Sequence, residues 1–114
     1  MGKPLRPTLQ TLQVLRALLD DPSGEHYGLE ISKESGLPTG SIYPILARME
    51  VSGLVTSAWE DINEVAAKRR RRRYYRLTSD GLEFARGEVA KAARSLAPTR
   101  RRPRGRLRPR ETSA

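Results

Sequence analysis

The hydrophobic residues at the start of the chain follow the period of a helix. From Thr8 to Asp20, leucines recur at steps of three and four residues, which places them on one face of an amphipathic helix. Thr8 can cap this helix, and the segment from Asp20 to Gly24, which contains Pro22, ends it. We therefore predict a first helix over about residues 8–20.

Two shorter helices joined by a tight turn follow the first one. The second is predicted from about Tyr27 to Ser35, with Gly36 as a left-handed cap. The third opens with Thr39 or Ser41 as its cap and ends at Gly53. Two helices joined by a short glycine-containing turn form a helix-turn-helix motif. The core residues predicted on the third helix are Ile42, Leu46 and Met49.

The period then changes to that of strands. Leu54–Glu60 and Arg71–Leu77 are rich in β-branched and aromatic residues, and residues 61–70 connect them without glycine or proline. A strand pair that follows a helix-turn-helix is a wing. The predicted fold class is therefore mainly α with a small β-hairpin, a winged helix-turn-helix followed by a C-terminal dimerisation helix.

The dimerisation helix is predicted to open at residues 78–81 and to run to about Leu96, before Pro98. Its apolar residues are three and four positions apart, which is the spacing of a coiled-coil seam. This stripe can pack on the first helix of the same chain or on a second copy of the protein. We favour a dimer interface, because the first three helices already supply a core. The predicted interface residues are Leu82, Ala85, Val89, Ala92 and Leu96.

These patterns divide the chain into four parts. Residues 1–7 form a predicted N-terminal arm, residues 8–77 the winged helix-turn-helix domain, and residues 78–97 the dimerisation helix. Residues 98–114 consist of arginine, proline and scattered small residues, with too little apolar content to fold alone. We expect this last part to be a disordered basic tail.

The net charge of +9 is concentrated in two segments. Lys68 to Arg73 carries +6, and residues 97–114 carry another +6 from seven arginines and Glu111, so that the rest of the chain is slightly acidic. An isolated charge run is usually a solubilising feature, but two runs that flank a helix-turn-helix favour a polyanionic partner. We predict double-stranded DNA as that partner. Its phosphates are expected to contact Lys68, Arg69, Arg70, Arg71, Arg72 and Arg73.

The outward face of the third helix holds the residues expected to reach base edges in the major groove. Its small residues allow a close approach to the groove floor, and the Ser41 hydroxyl can hydrogen-bond a phosphate or a base. For Tyr43 a second interpretation stays open, in which the ring rests against the second helix. The predicted DNA-binding set on this helix is Thr39, Gly40, Ser41, Tyr43, Pro44 and Arg48.

The composition argues against several other classes of function. The chain has no cysteine, a single histidine (His26) and no glycine-rich phosphate loop, and its carboxylates are scattered. We therefore expect no catalytic residues, no metal and no cofactor. No apolar run approaches the roughly 20 residues that span a bilayer, and the first residues lack the apolar core of a secretion signal. The expectation is a cytoplasmic, nucleoid-associated protein without a membrane partner.

Several elements together resemble the PadR family of transcription regulators. The resemblance is carried by GSIYPILARMEVSGLV, SAW and RRYYRLTSDG, supported by TLQVLRAL and HYGLEISKESG, and it covers about residues 8–96. It implies a dimeric winged-helix repressor that binds a pseudo-palindromic operator, often relieved by a small molecule or a stress signal. The tip at residues 61–67 differs from the short glycine- or proline-containing tip usual in the family. The short C-terminal helix also leaves room for an effector only between subunits.

The tail adds a separate hypothesis. Arg102, Arg104 and Arg106 surround Pro103 and Gly105 in a sequence that resembles an AT-hook, which binds narrow A·T minor grooves, although Leu107 stands where that motif has proline. A nonspecific cationic arm is the alternative. Two other functions also stay open: a nucleoid-type or RNA-binding protein without sequence preference, and a winged-helix adaptor that binds proteins instead of DNA.

Overall fold

The computed structural model describes residues 7–96. The predicted tail contacts at Arg102, Arg104 and Arg106 and most of the predicted N-terminal arm lie outside this range. The described residues form five helices and one antiparallel sheet, which confirms the predicted winged-helix class. In chain order the elements are α1 (Leu9–Leu19), β1 (His26–Tyr27), α2 (Gly28–Ser35), α3 (Thr39–Val51), β2 (Val55–Trp59), α4 (Glu64–Ala67), β3 (Arg73–Leu77) and α5 (Ser79–Leu96).

The helix ends follow their capping residues. The Thr8 hydroxyl accepts the Thr11 N–H at 3.1 Å, and Gly36 ends α2 in the left-handed region with φ 78°, as predicted. The start of α3 differs from the prediction, because Pro38 occupies the N-cap position instead of Thr39 or Ser41. The extended backbone of Pro38 directs its carbonyl oxygen toward the N–H groups of the first helical turn, and that oxygen accepts from Ser41 at 2.9 Å.

The core lies where α1, α2 and α3 meet the sheet. The predicted core residues of α3 are all fully buried, and Ile45 joins them. Two leucines depart from the simple stripe, since Leu9 on α1 is 69% exposed and Leu29 on α2 is 63% exposed. The apolar stripes of α1 and α2 are therefore wider than the surface that the neighbouring elements cover. The fully buried side chains include Val14, Leu15, Leu18, Ile31, Ile42, Leu46, Met49 and Val55.

The sheet has three strands in the order β1-β3-β2, and the sequence predicted only two of them. The strand β1 pairs with β3 through His26 opposite Tyr75 and Tyr27 opposite Tyr74. A two-residue strand is too short to show the alternation by which strands are recognised. His26 is buried there, and its Nε2 lies 2.8 Å from the Asp21 carbonyl oxygen, so this histidine has a structural role.

The wing tip is a single helical turn rather than an irregular loop. The Asn63 side chain accepts the N–H groups of Val65 and Ala66 at 3.0 and 3.1 Å, which starts α4. Lys68 ends α4 in the left-handed region, with φ 58°. Strand β3 consequently begins at Arg73, two residues later than predicted, because the preceding arginines belong to the tip.

The long helix α5 packs against α1 of the same chain. Gly81 lies directly on the Leu54 carbonyl, where a Cβ would overlap the oxygen. Ala85 is fully buried and Val89 packs on the same core, so the predicted intersubunit seam is wrong at Ala85, which has no surface left for a second copy. The reason is the close contact at Gly81, which brings the first two turns of α5 onto the body.

Candidate nucleic-acid interface

The outer face of α3 is largely exposed. Gly40, Pro44 and Arg48 are exposed, whereas Thr39 and Ser41 are half-buried. Gly40 has no side chain, and a Cβ built there would meet nothing within 4 Å, so the space beside the helix is open at this point. The Arg48 side chain has no hydrogen-bond or ion-pair partner among residues 7–96. The structure thus brings the predicted α3 residues onto one accessible surface.

Tyr43 fits both interpretations that the sequence left open: it packs against the second helix and is also partly exposed. Its hydroxyl lies over Gly28 at the start of α2, where an added Cβ would overlap it, so the ring rests against the second helix. The side chain is nevertheless 44% exposed. The hydroxyl end of Tyr43 is therefore held against α2, while part of the side chain stays accessible to a partner.

The cations of the wing are not equivalent. Arg69 binds the Glu60 carboxylate through two hydrogen bonds, of 2.7 Å from Nη1 and 3.0 Å from Nη2. Arg71 lies 3.7 Å from the Glu64 carboxylate, which also accepts the Arg71 backbone N–H at 2.8 Å. The positive charges of both arginines are therefore paired with carboxylates within the wing. In contrast, the side chains of Lys68 and Arg70 have no hydrogen-bond or ion-pair partner within residues 7–96.

Glu60 joins the wing to the helix-turn-helix. Besides Arg69, its carboxylate accepts the Arg72 backbone N–H at 2.8 Å and the Tyr27 hydroxyl at 3.3 Å. The hydrogen bond from Arg69 is the main cause that lowers the pKa of Glu60 to about 2, with the Arg72 N–H acting in the same direction. Burial, followed by the charge of Glu60, raises the pKa of the Tyr27 hydroxyl. Glu60 is thus held ionised as a fixed acceptor.

Two further arginines stack on aromatic rings. The Arg72 guanidinium lies 5.5 Å from the Tyr27 ring centre, and that of Arg73 lies 5.1 Å from the centre of Trp59, its cross-strand partner. Arg73 also donates to Ser57 Oγ at 2.8 Å, and this hydroxyl donates to Glu50 at the end of α3. The stacked arginines are therefore oriented by the sheet and by α3.

Sequence analysis missed the residues that orient these cations. Glu64 was part of a tip without assigned geometry, and Trp59 and Glu60 were only strand residues. Arg69 and Arg71 lie nine and seven positions after the carboxylates that they bind. Such a separation does not indicate pairing in the sequence, because the residues meet only after the tip has folded. Trp59, with arginines in the facing strand, is the one sequence feature that could have indicated a stacked site.

A groove opens between the start of α2, the side of α3 and the wing. Its volume is about 450 Å³, and aromatic side chains and arginines dominate its wall. We call it the aromatic groove and define it by the residues Tyr27, Gly28, Tyr43, Trp59, Arg72 and Arg73. Within residues 7–96 no cluster of three or more metal-binding side chains occurs, and none of the helices is long and apolar enough to cross a membrane.

Comparison with known families agrees with this geometry. Residues 14–86, well over half of the chain, match the model of the transcriptional regulator PadR-like family. The chain belongs to the PadR-like family of transcriptional regulators. Membership confirms the resemblance seen in the sequence.

Solved structures show the same fold in other members. A PadR family regulator from Clostridium difficile R20291 is 28% identical, with 77% of this chain and 97% of that chain covered and a TM-score of 0.56. One from Eggerthella lenta DSM 2243 is 26% identical, with 76% and 78% covered and a TM-score of 0.58.

A MarR family transcriptional regulator from Silicibacter pomeroyi DSS-3 is 25% identical, with a TM-score of 0.57. The match covers 76% of this PadR-like chain but only 55% of the Silicibacter protein, so it spans little more than half of that relative. A search of curated proteins found no significant match.

Proposed function

We propose that this PadR-like protein binds a pseudo-palindromic DNA operator as a homodimer and represses transcription from it. The observation that carries the proposal is the exposed outer face of α3 beside the cationic wing, where the Arg48 side chain has no hydrogen-bond or ion-pair partner among residues 7–96. On a duplex, the N-terminal end of α3 lies in the major groove. Ser41, Thr39 and Arg48 contact bases or phosphates, while Gly40 and Pro44 let the helix approach.

The wing contributes through two kinds of cation. Lys68 and Arg70, whose side chains have no partner in the described part of the chain, neutralise phosphates beside the groove. Arg69 and Arg71 are engaged by Glu60 and Glu64, so their first role is to hold the tip in shape. Arg72 and Arg73 add positive charge near α3. This division refines the expectation that all six residues act alike.

The homodimer is supported by an apolar strip on α1 and α5. Leu9 is 69% exposed and Leu96 is 79% exposed, and together with Leu12 and Ala92 they line a groove of about 370 Å³ between the two helices. A domain of this size is only marginally stable alone, and a second copy is the usual supplement. The isologous contact would place two α3 helices about one helical turn of DNA apart. Of the seam predicted from sequence, Leu82, Val89, Ala92 and Leu96 remain candidates.

Selection of bound duplexes from a random pool tests the proposal directly. Sequence-specific dimer binding enriches an inverted repeat whose halves are centred about 10 base pairs apart. Footprinting of the enriched duplex then gives two symmetric protected segments, and transcription in vitro from a promoter that contains it falls as protein is added. An unenriched pool, or one asymmetric protected segment, would contradict the proposal.

A second candidate is binding without sequence choice, favoured by the seven arginines of the tail. The two functions differ in their response to salt. Competition with random duplex at about 200 mM salt removes nonspecific binding, because its affinity comes from counterion release, but leaves specific binding measurable.

A further inference from the structure

Gly28 is a glycine that its backbone conformation does not require. It is the first residue of α2, and the glycines with positive φ in the described part of the chain are Gly36 and Gly53, so an ordinary residue could adopt the conformation of Gly28. Alanine also favours a helix more than glycine does. What sets this buried position apart is therefore the space around it.

That space is filled by the Tyr43 ring. A Cβ built at Gly28 would overlap the Tyr43 hydroxyl and would lie 2.6 Å from Cζ and 2.8 Å from Cε1 of the same ring, closer than real Cβ atoms approach a neighbour. All three nearest atoms belong to Tyr43. The missing side chain thus leaves a notch that one ring occupies, which we call the Gly28 notch.

The Gly28 notch fixes a residue of the surface assigned to DNA. Tyr43 is 44% exposed and precedes Pro44 on α3. It is also close to the sheet, because burial is the main cause that raises the pKa of Tyr75 and Tyr43 adds to it in the same direction. With α2 and the sheet on these sides, the open space left to the ring is the aromatic groove, which Tyr43 lines, and the outer face of α3.

We propose that Gly28 is a positioning residue for DNA recognition, because its notch keeps the Tyr43 ring out of the space that the duplex occupies. The inference rests on the function proposed above. A methyl group at Gly28 would meet the far end of a flexible side chain rather than backbone, so the fold can stay intact while the ring moves. The displaced ring would then stand between α3 and the duplex and prevent the close approach to the major groove.

Operator binding by four full-length proteins tests this coupling, with fluorescence anisotropy of a selected duplex as the measurement. Gly28→Ala should lose about tenfold in affinity through the steric clash of the displaced ring. Tyr43→Ala should lose only about threefold, as most interface side chains do. The double variant should match Tyr43→Ala, because an added methyl group displaces nothing once the ring is gone. Removing Tyr43 should thus restore part of the binding that Gly28→Ala loses.

Gly87→Ala is the matched control, since it adds the same methyl group at an open position of α5 and should leave the affinity as in wild type. Wild-type affinity of Gly28→Ala would overturn the proposal. So would a double variant that loses about thirtyfold, the product of the two single losses, since Gly28 would then act independently of Tyr43. If circular dichroism showed Gly28→Ala unfolded, a folded double variant with the affinity of Tyr43→Ala would support the notch, and an unfolded one would refute it.

NMR without DNA separates this proposal from the function on which it rests. The chain has four tyrosines, so the ring signals of Tyr43 are identified by their loss in Tyr43→Ala. They should shift in Gly28→Ala and stay in place in Gly87→Ala. A chain that shows this shift but binds no duplex would refute DNA binding and support the notch. Unshifted Tyr43 signals in a Gly28→Ala protein that binds the operator normally would refute the notch alone.

Discussion

The Glu60 carboxylate and the Arg69 guanidinium form a two-point ion pair that ties the tip of the wing to its base. The two hydrogen bonds measure 2.7 and 3.0 Å, and the Glu60 side chain is only 11% exposed. Because the same carboxylate accepts from Tyr27 at the start of α2, the wing is fixed to the helix-turn-helix before any partner arrives. One acidic residue thus sets the shape of a basic surface.

Replacing Glu60 distinguishes the effect of net charge on DNA binding from the effect of an ordered wing tip. The substitution Glu60→Gln adds one net positive charge, and long-range electrostatics alone would strengthen DNA binding. We expect the opposite, a loss of about threefold to fivefold in affinity, because the released tip must be ordered on binding. Fluorescence anisotropy with a labelled operator measures the change.

Glu83→Gln serves as the control for Glu60→Gln. Glu83 is exposed on α5, outside the wing, and the substitution makes the same change of net charge. It should bind DNA at least as tightly as wild type. If Glu60→Gln gained affinity to the same extent as this control, the ion pair would have no role in shaping the wing.

Stability should depend on acid through the same residue. The pKa of Glu60 is about 2 in the folded protein against an ordinary value of 4.5, so the folded state favours the ionised carboxylate. A depressed pKa adds stability that is present above about pH 4.5 and is lost as the pH falls through that value toward 2. Urea unfolding across this interval should show a steeper fall for wild type than for Glu60→Gln. Parallel curves for the two proteins would contradict this assignment.

The helices were predictable because their information is local. The period of Ile42, Leu46 and Met49 and the cap at Gly36 each depend on neighbours a few positions away, and the structure confirms them. Leu29 shows the limit of such local information, since its place in an apolar stripe did not reveal that it is 63% exposed.

Long-range pairing was not predictable. The strand β1 exists only because Tyr27 meets Tyr74 almost fifty residues later, and Glu60 meets Arg69 only after α4 has turned the chain. Ala85 was assigned to the wrong partner for a related reason. The apolar stripe on α5 predicts that this face of the helix is buried. It does not predict whether α1 or a second copy of the protein buries it.

Two glycines of α5 should respond oppositely to alanine. At Gly81 an added Cβ overlaps the Leu54 backbone oxygen, and backbone cannot move aside cheaply, so Gly81→Ala should destabilise the fold by about 1–3 kcal/mol. At Gly87 nothing lies within 4 Å, and Gly87→Ala should stabilise the helix by about 0.5–1 kcal/mol. Urea unfolding at one fixed protein concentration measures both. If Gly81→Ala were as stable as wild type, the close contact between α5 and the Leu54 carbonyl would be contradicted.

The strip between α1 and α5 should govern the oligomeric state. If this strip forms the proposed dimer interface, Leu9→Glu places a charge in an apolar contact and should convert the proposed dimer to monomer, because a buried unpaired carboxylate costs several kcal/mol. Val65→Glu is the control, since Val65 is equally apolar and 86% exposed, but lies at the wing tip. Sedimentation equilibrium gives the mass, and circular dichroism checks that both variants fold. A Leu9→Glu dimer as tight as wild type would exclude this strip as the interface.

Salt dependence should distinguish the free cations of the wing from the paired ones. Arg70 has no ion-pair partner in the described part of the chain, so its pairing with a phosphate releases a counterion. Arg70→Gln should therefore lower the slope of log affinity against log salt by about 0.9. Arg71 already faces Glu64, so Arg71→Gln removes a cation whose charge is largely balanced and should change the slope by less than half as much. Both variants lose one positive charge, which makes each the control for the other. Equal reductions in slope would mean that the Glu64 pair opens on DNA and that all the wing arginines contact phosphates alike.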